Sequence, residues 1–211
     1  MLAPAANKPI KNVIFDMGGV LMNFDGPYFS SLFTDTPEDA ALLNQALFGS
    51  TMWSLLDSGT ITLETMLRYA ENHLPERLHP NLHECFRHWP EHSEPFEQTN
   101  DLAIRLKSEG YGIYLLSNAN TNIMQQLGRA PVCRFLDGIV VSAEERLMKP
   151  DPAIFRLLCD RFDLAPEECL FVDDNEDNCI GARVAGMHAF RFTRQPGGNA
   201  AELEATIRLL S

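Results

Sequence analysis

The sequence is poor in positive charge: 17 Lys and Arg stand against 29 Asp and Glu, a formal net charge of −12. That balance argues against partners held by broad basic patches, so neither nucleic acid nor an anionic membrane is expected. A small anionic substrate stays open, because a few local cations or a metal can govern one site. Paired cysteines are also missing. Cys85, Cys133, Cys159, Cys169 and Cys179 are odd in number and form no CxxC. This predicts a reduced, cytoplasmic setting rather than a disulfide framework. No apolar run approaches the ~18–20 residues of a membrane span. The opening MLAPAANKPIK lacks the apolar stretch of a secretion signal. Internal repeats and low-complexity tracts are absent as well.

What is present suffices for a sizeable core. The chain has 211 residues, 45% of them hydrophobic, which fits one large domain or a domain carrying an insertion. The organising stretch is Asn12 to Leu21, NVIFDMGGVL. Val13, Ile14 and Phe15 read as a short buried strand that ends at Asp16, and Gly18 and Gly19 follow in a sharp turn. A carboxylate at that end of a strand sits where open α/β sheets place ligands, although a turn-capping Asp reads the same way.

The chain then divides. Residues 1–11 are expected to be a loose tail and the first strand to run from Asn12 to Asp16. From Tyr28 to about His88 β character is scarce, and apolar residues recur at helical spacing, as in Leu42, Leu43, Ala46 and Leu47. Thr36-Pro37-Glu38-Asp39 and Thr62-Leu63-Glu64-Thr65 read as helix openings. An inserted bundle of about four helices is expected, ending at Pro90 and Pro95. Strands then alternate with helices: strands over 111–116, 138–141, 169–172 and 188–192, helices over 102–108, 121–127, 152–162, 177–185 and 200–210. That order predicts βαβ units and a parallel sheet. The expected fold is α/β, a doubly wound Rossmann-like parallel core of residues 1–24 and 98–211, with a helical-bundle cap at 25–97.

Polar groups fall at the carboxyl ends of the expected strands: Asp16, Ser117-Asn118, Asp173-Asp174, and Lys149 in the loop after the third strand. A parallel sheet brings those ends to one edge. Crowded carboxylates repel unless compensated, and Mg²⁺ is the natural compensation because it takes oxygen ligands. The set suits phosphoryl transfer through an aspartyl-phosphate. Each residue also has a plain alternative: a turn or helix cap at Ser117-Asn118, a solvated lysine at Lys149, a favourable helix-start charge at Asp173-Asp174.

Four segments together resemble the motifs of the haloacid dehalogenase superfamily, on its phosphatase side: FDMGGVL, LLSNAN, MKPDPAIF and FVDDNEDN, in that order. The closest similarity is to bacterial sugar-1-phosphate phosphatases, whose first motif also carries Gly where most relatives have a second Asp. The resemblance implies that Asp16 is the nucleophile and a metal ligand, that the Gly18 carbonyl is a second ligand, and that Asp174 ligates directly. Asp173 would act through water or hydrogen bonds. Ser117 and Asn118 would hold the phosphoryl group, Lys149 would neutralise it and orient Asp16, and Asn178 would brace the site. The implied activity is Mg²⁺-dependent hydrolysis of small-metabolite phosphomonoesters, a sugar phosphate first among them. A metal-independent dehalogenase and a non-catalytic binding protein are the rivals. The Asp missing at Gly18 normally protonates the leaving group, and Asp25 and Asp57 are candidate substitutes.

The cap segment holds His73, His79, His83, His88 and His92, with Cys85 among them. His79 and His83 are spaced for one helical face, but Pro75, Pro80 and Pro90 interrupt the segment, so a polar surface is expected rather than a zinc site. Trp53 is expected in the cap core.

Overall fold

Period-two alternation decides which side of the sheet each strand residue faces. In the computed structural model, which describes residues 8–193 and 199–211, β1 (Asn12–Phe15) lies at the centre of a five-stranded sheet. The order is β3 (Gly138–Val141), β2 (Gly112–Ser117), β1, β4 (Cys169–Asp173), β5 (His188–Arg191), and every pairing is parallel. Val13, Phe15, Ile113, Leu115, Leu170 and Val172 enter one apolar cluster. Ile14, Tyr114, Leu116 and Phe171 enter another on the opposite face. Parallel strands buried on both faces need apolar residues throughout, and these runs supply them.

Five helices form the insertion that follows β1: α1 (Gly26–Leu32), α2 (Pro37–Ala46), α3 (Thr51–Asp57), α4 (Leu63–Asn72) and α5 (His79–His88). The spacing predicts about four; α1 and α3 have seven residues each, too few to display a helical period. Thr36 and Thr62 cap α2 and α4 with their hydroxyls, as their positions before the apolar runs predict. These helices bury their own cluster around Phe29, Leu43, Leu47, Met66 and Leu82.

On the core, α6 (Glu97–Ser108) and α11 (Ala200–Leu210) cover the first sheet face through Leu102, Leu106, Leu203 and Ile207. The opposite face is covered by α9 (Pro152–Phe162) and α10 (Glu176–Val184), through Ile154, Phe155, Leu158 and Ala182. Two short helices, α7 (Met124–Leu127) and α8 (Ser142–Glu145), follow β2 and β3.

Two chain crossings join the helical insertion to the core, and they are tied to each other. Asn23 N donates to Glu94 O, Phe96 N to Leu21 O, and the Gln126 amide donates to Asn23 O and Ser93 Oγ. One expectation needs correction. Residues 8–11 are not a loose end: Ile10 is buried and donates its N–H to Leu210 O, and Lys11 N donates to Glu168 O. A single buried isoleucine holds that extension against the core. Residues 1–7 of the expected tail, and residues 194–198 of the expected core, lie outside the described residues.

Candidate active site

β1 and β4 lie side by side at the centre of the sheet, and the chain leaves their carboxyl ends towards opposite flanks. Such a reversal of strand order opens a crevice, and Asp16 and Asp173 stand at its floor. Asp16 N donates to Val172 O, which continues the ladder by one residue and sets the two carboxylates next to each other. Gly19 then turns the chain at φ 82, a conformation that suits glycine.

Lys149 locks this floor. Its Nζ lies 2.9 Å from Asp16 Oδ1 and 2.7 Å from Asp173 Oδ2, and donates to Leu116 O at 3.0 Å. An ammonium has three protons, and these three acceptors use them all. Burial opposes the charge on Lys149, but Asp16 and Asp173 together outweigh burial and hold the ammonium above its usual range. The lysine is therefore a fixed cation, only 3% exposed. Its backbone is fixed too: Asn118 Nδ2 donates to Lys149 O and Lys149 N donates to Asn118 Oδ1, both at 2.9 Å. The Asn118 amide thus grips the lysine loop from both sides, a use that the SNAN segment does not announce.

The two acidic neighbours at the end of β4 sit differently. Asp173 is fully buried, and its carboxylate accepts from Lys149, from Asn175 N at 2.8 Å and from Asn178 Nδ2 at 3.0 and 3.1 Å. Asn178, four residues beyond Asp174, braces Asp173 from α10. Asp174 is less buried and lines the cavity above the floor. Oxygens of Asp16, Asp173 and Asp174 all lie within 4.8 Å of one another. Lys149 pairs with Asp16 and Asp173, and the donor set of three carboxylates is made wholly of hard oxygens, which fits a divalent cation such as Mg²⁺. Burial pushes the Asp16 carboxyl up to about 7, against the pull of Lys149.

The cavity encloses about 340 Å³. Ser117 and Asn118 line it beside Asp16 and Gly18, so the structure brings together every residue that the strand-end argument singles out. Its roof is mostly apolar: Trp53, Leu63, Phe86 and Trp89 of the helical insertion face it, with Phe24 from the segment just before α1. Phe24, Phe48, Trp53 and Trp89 pack ring against ring, with centroids 4.8–6.0 Å apart. Trp53 is thus both part of that core and a cavity wall.

Asp25 and Asp57 separate. Asp25 caps α1, accepting from Tyr28 N at 3.0 Å, and lines a different hollow. Asp57 lines the cavity. Asn120, which sequence reasoning passed over, lies beside the Asp57 carboxylate and favours its ionised form. His79 and His83 both reach Glu71, but at different atoms. His83 Nε2 pairs with Glu71 Oε1 at 2.9 Å, and His79 Nε2 meets the Glu71 and Leu74 carbonyls. Among the described residues, only Asp16, Asp173 and Asp174 form a group able to hold a metal.

A family model described as haloacid dehalogenase-like hydrolase matches residues 10–186. The chain is similar to (S)-2-haloacid dehalogenase 4A of Burkholderia cepacia, 32% identical over 154 residues, which cover 72% of this chain and 62% of that protein. Its match to (S)-2-haloacid dehalogenase 1 of Pseudomonas spans 40% of that protein. Sesquiterpene phosphatase astK of Aspergillus oryzae is 27% identical over 186 residues, 87% of this chain and 90% of that protein. Among solved structures, a HAD family enzyme of Bacteroides thetaiotaomicron in complex with magnesium and inorganic phosphate superposes with a TM-score of 0.67 at 21% identity, covering 89% of this chain and 96% of that one. That likeness is one of fold.

Proposed function

The chain belongs to the haloacid dehalogenase-like hydrolase family, and from that premise we propose that it is a Mg²⁺-dependent phosphatase of small-metabolite phosphomonoesters, working through an aspartyl-phosphate on Asp16. The observation that carries this reading is the cluster of Asp16, Asp173 and Asp174 around Lys149 at one sheet edge. Asp16, Asp174 and the Gly18 carbonyl would hold the metal, with Asp173 behind them. The bound ion supplies charge neutralisation between the carboxylates and the substrate phosphate.

The protein's own residues supply the rest. Lys149 holds Asp16 with one oxygen engaged, which leaves the other for attack on phosphorus. Ser117 and the Asn118 backbone hold the phosphoryl oxygens. Asn178 and Lys149 keep Asp173 from turning into the cavity. Residues 25–97 act as a cap over a core of residues 1–24 and 98–211, and exclude bulky substrates. The apolar roof suits an organic group with an apolar face. A hydrocarbon or aromatic ester therefore competes with the sugar phosphate that the motifs suggest, and the similarity to a sesquiterpene phosphatase supports the former. The free cysteines support a cytoplasmic setting.

A second reading rests on the haloacid dehalogenase relative. Displacement of a halide by Asp16 needs no metal, whereas Asp173 and Asp174 beside Asp16 make a donor set suited to one, so the cluster weighs against it. Excess chelator separates the two readings: phosphate release should vanish and return with Mg²⁺, whereas activity undiminished in chelator would favour the dehalogenase. Asp16→Asn should lower turnover at least about 10⁴-fold in a folded protein, as loss of a nucleophile does elsewhere. Near-wild-type turnover would sink the covalent mechanism.

A further inference from the structure

Gly18 leaves the phosphatase chemistry without a proton donor, yet space does not demand glycine there. A Cβ on Gly18 would lie 3.5 Å from Phe24 Cβ, an ordinary contact. The proton must then come from elsewhere on the cavity wall. Of the residues that the cap contributes to that wall, Asp57 alone can ionise.

Asp57 ends its own helix α3 and is also tied to the core. Ser142 Oγ donates to the Asp57 carbonyl. The turn that follows presses on the same loop: Gly59 has φ +70, and a Cβ there would fall 2.3 Å from Ala143 O. Asn120 and the Trp53 side chain lie beside the Asp57 carboxylate and favour its ionised form. Asn120 lies in the loop after β2, beside Ser117 and Asn118. A cap carboxylate is thus fastened over the floor that carries Asp16.

We propose that Asp57 is the general acid and base of this site, taking the place left vacant by Gly18; the proposal rests on the aspartyl-phosphate reading above. In the first step an Asp16 oxygen bonds to phosphorus and the bond from phosphorus to the ester oxygen breaks. Its electron pair stays on that oxygen, which takes the proton of Asp57 and leaves as the alcohol. In the second step water attacks phosphorus, gives its proton to the Asp57 carboxylate, and the bond to Asp16 breaks, releasing hydrogen phosphate and both aspartates in their starting forms. Burial pushes the Asp57 carboxyl up to about 7, outweighing the opposite pull of Asn120 and Trp53, and the Asp16 charge adds to the push. A group poised there can both give and take a proton near neutrality.

The test is single-turnover release of leaving group from 4-nitrophenyl phosphate and from n-hexyl phosphate, at saturating Mg²⁺. Asp57→Asn should slow hexanol release by about 10²–10⁴-fold but nitrophenol release by less than about tenfold, because nitrophenolate leaves without a proton. Adding Gly18→Asp to Asp57→Asn should recover hexanol release. An equal loss with both substrates, or no loss with either, overturns the proposal. If Asp57→Asn does not fold, Asp57→Ser carries the same comparison. Asp16→Asn run alongside separates the two levels: turnover that survives Asp16→Asn overturns the covalent reading and Asp57's role with it. A dead Asp16→Asn beside an unaffected Asp57→Asn overturns the role of Asp57 alone.

Discussion

The floor and the roof of the cavity are built on opposite principles. The floor is polar, buried and bonded to saturation: Lys149 has three acceptors, and Asp173 accepts from three residues. The roof is aromatic, with Asp57 its one ionisable group. In the floor, position is set by charge and hydrogen bonds in a low dielectric, so each group depends on its partners and none can be removed quietly. In the roof, position is set by packing, which is less directional and tolerates changes of shape. The floor is therefore suited to one reaction, and the roof to selecting what reaches it.

Three tests probe that contrast, in falling order of effect. Lys149→Met removes the cation from between two buried carboxylates. It should destabilise the protein by about 3–5 kcal/mol, as stripping one partner from a buried ion pair does, and denaturant unfolding in the absence of Mg²⁺ is the measurement. A loss below about 1 kcal/mol, the range of exposed pairs, would mean that the floor is not a dry network.

The second compares neighbours. Asp174→Ala should weaken Mg²⁺ binding more than Asp173→Ala, while Asp173→Ala should lower stability more, because its carboxylate is what Lys149, Asn178 and Asn175 bond to. Titration calorimetry and thermal melts of both variants check the crossing pattern. The same order in both measurements would erase the distinction between ligand and brace.

The smallest effect is expected in the roof. Phe86 is partly buried and lines the cavity. Phe86→Ala should raise KM for esters with apolar organic groups by the equivalent of about 1–3 kcal/mol and leave kcat nearly unchanged, the mark of binding shared by ground and transition states. A fall in kcat at constant KM would make the roof part of the reaction instead.

Much of the architecture was already written in local patterns. Strands β3 and β4, helix α9 and helix α11 begin where the sequence predicts, because each is an apolar run or a helical period bounded by Pro, Gly, Asp or Asn. The residues of the floor were legible for a related reason. In a parallel sheet the carboxyl ends of all strands share one edge, so polar residues that close the strands must meet there. Asp16, Ser117, Asp173 and Asp174 follow from strand order alone. Sequence by itself thus determined the α/β class, the inserted helices and the chemical character of the floor. Tertiary structure alone decided the rest, since it depends on contacts between residues far apart in the chain. It turned Asn118 towards the Lys149 backbone, divided Asp173 from Asp174 by burial, sent His79 to the backbone carbonyl and His83 to the carboxylate of Glu71, and made Asp25 a helix cap. It also brought Asp57 from the end of α3 into contact with Asn120 and Ser142, across 63 and 85 positions of chain. No spacing rule reaches that far: the cap fixes Asp57 by packing its own core, and only the docking of that core on the sheet puts the carboxylate over Asp16.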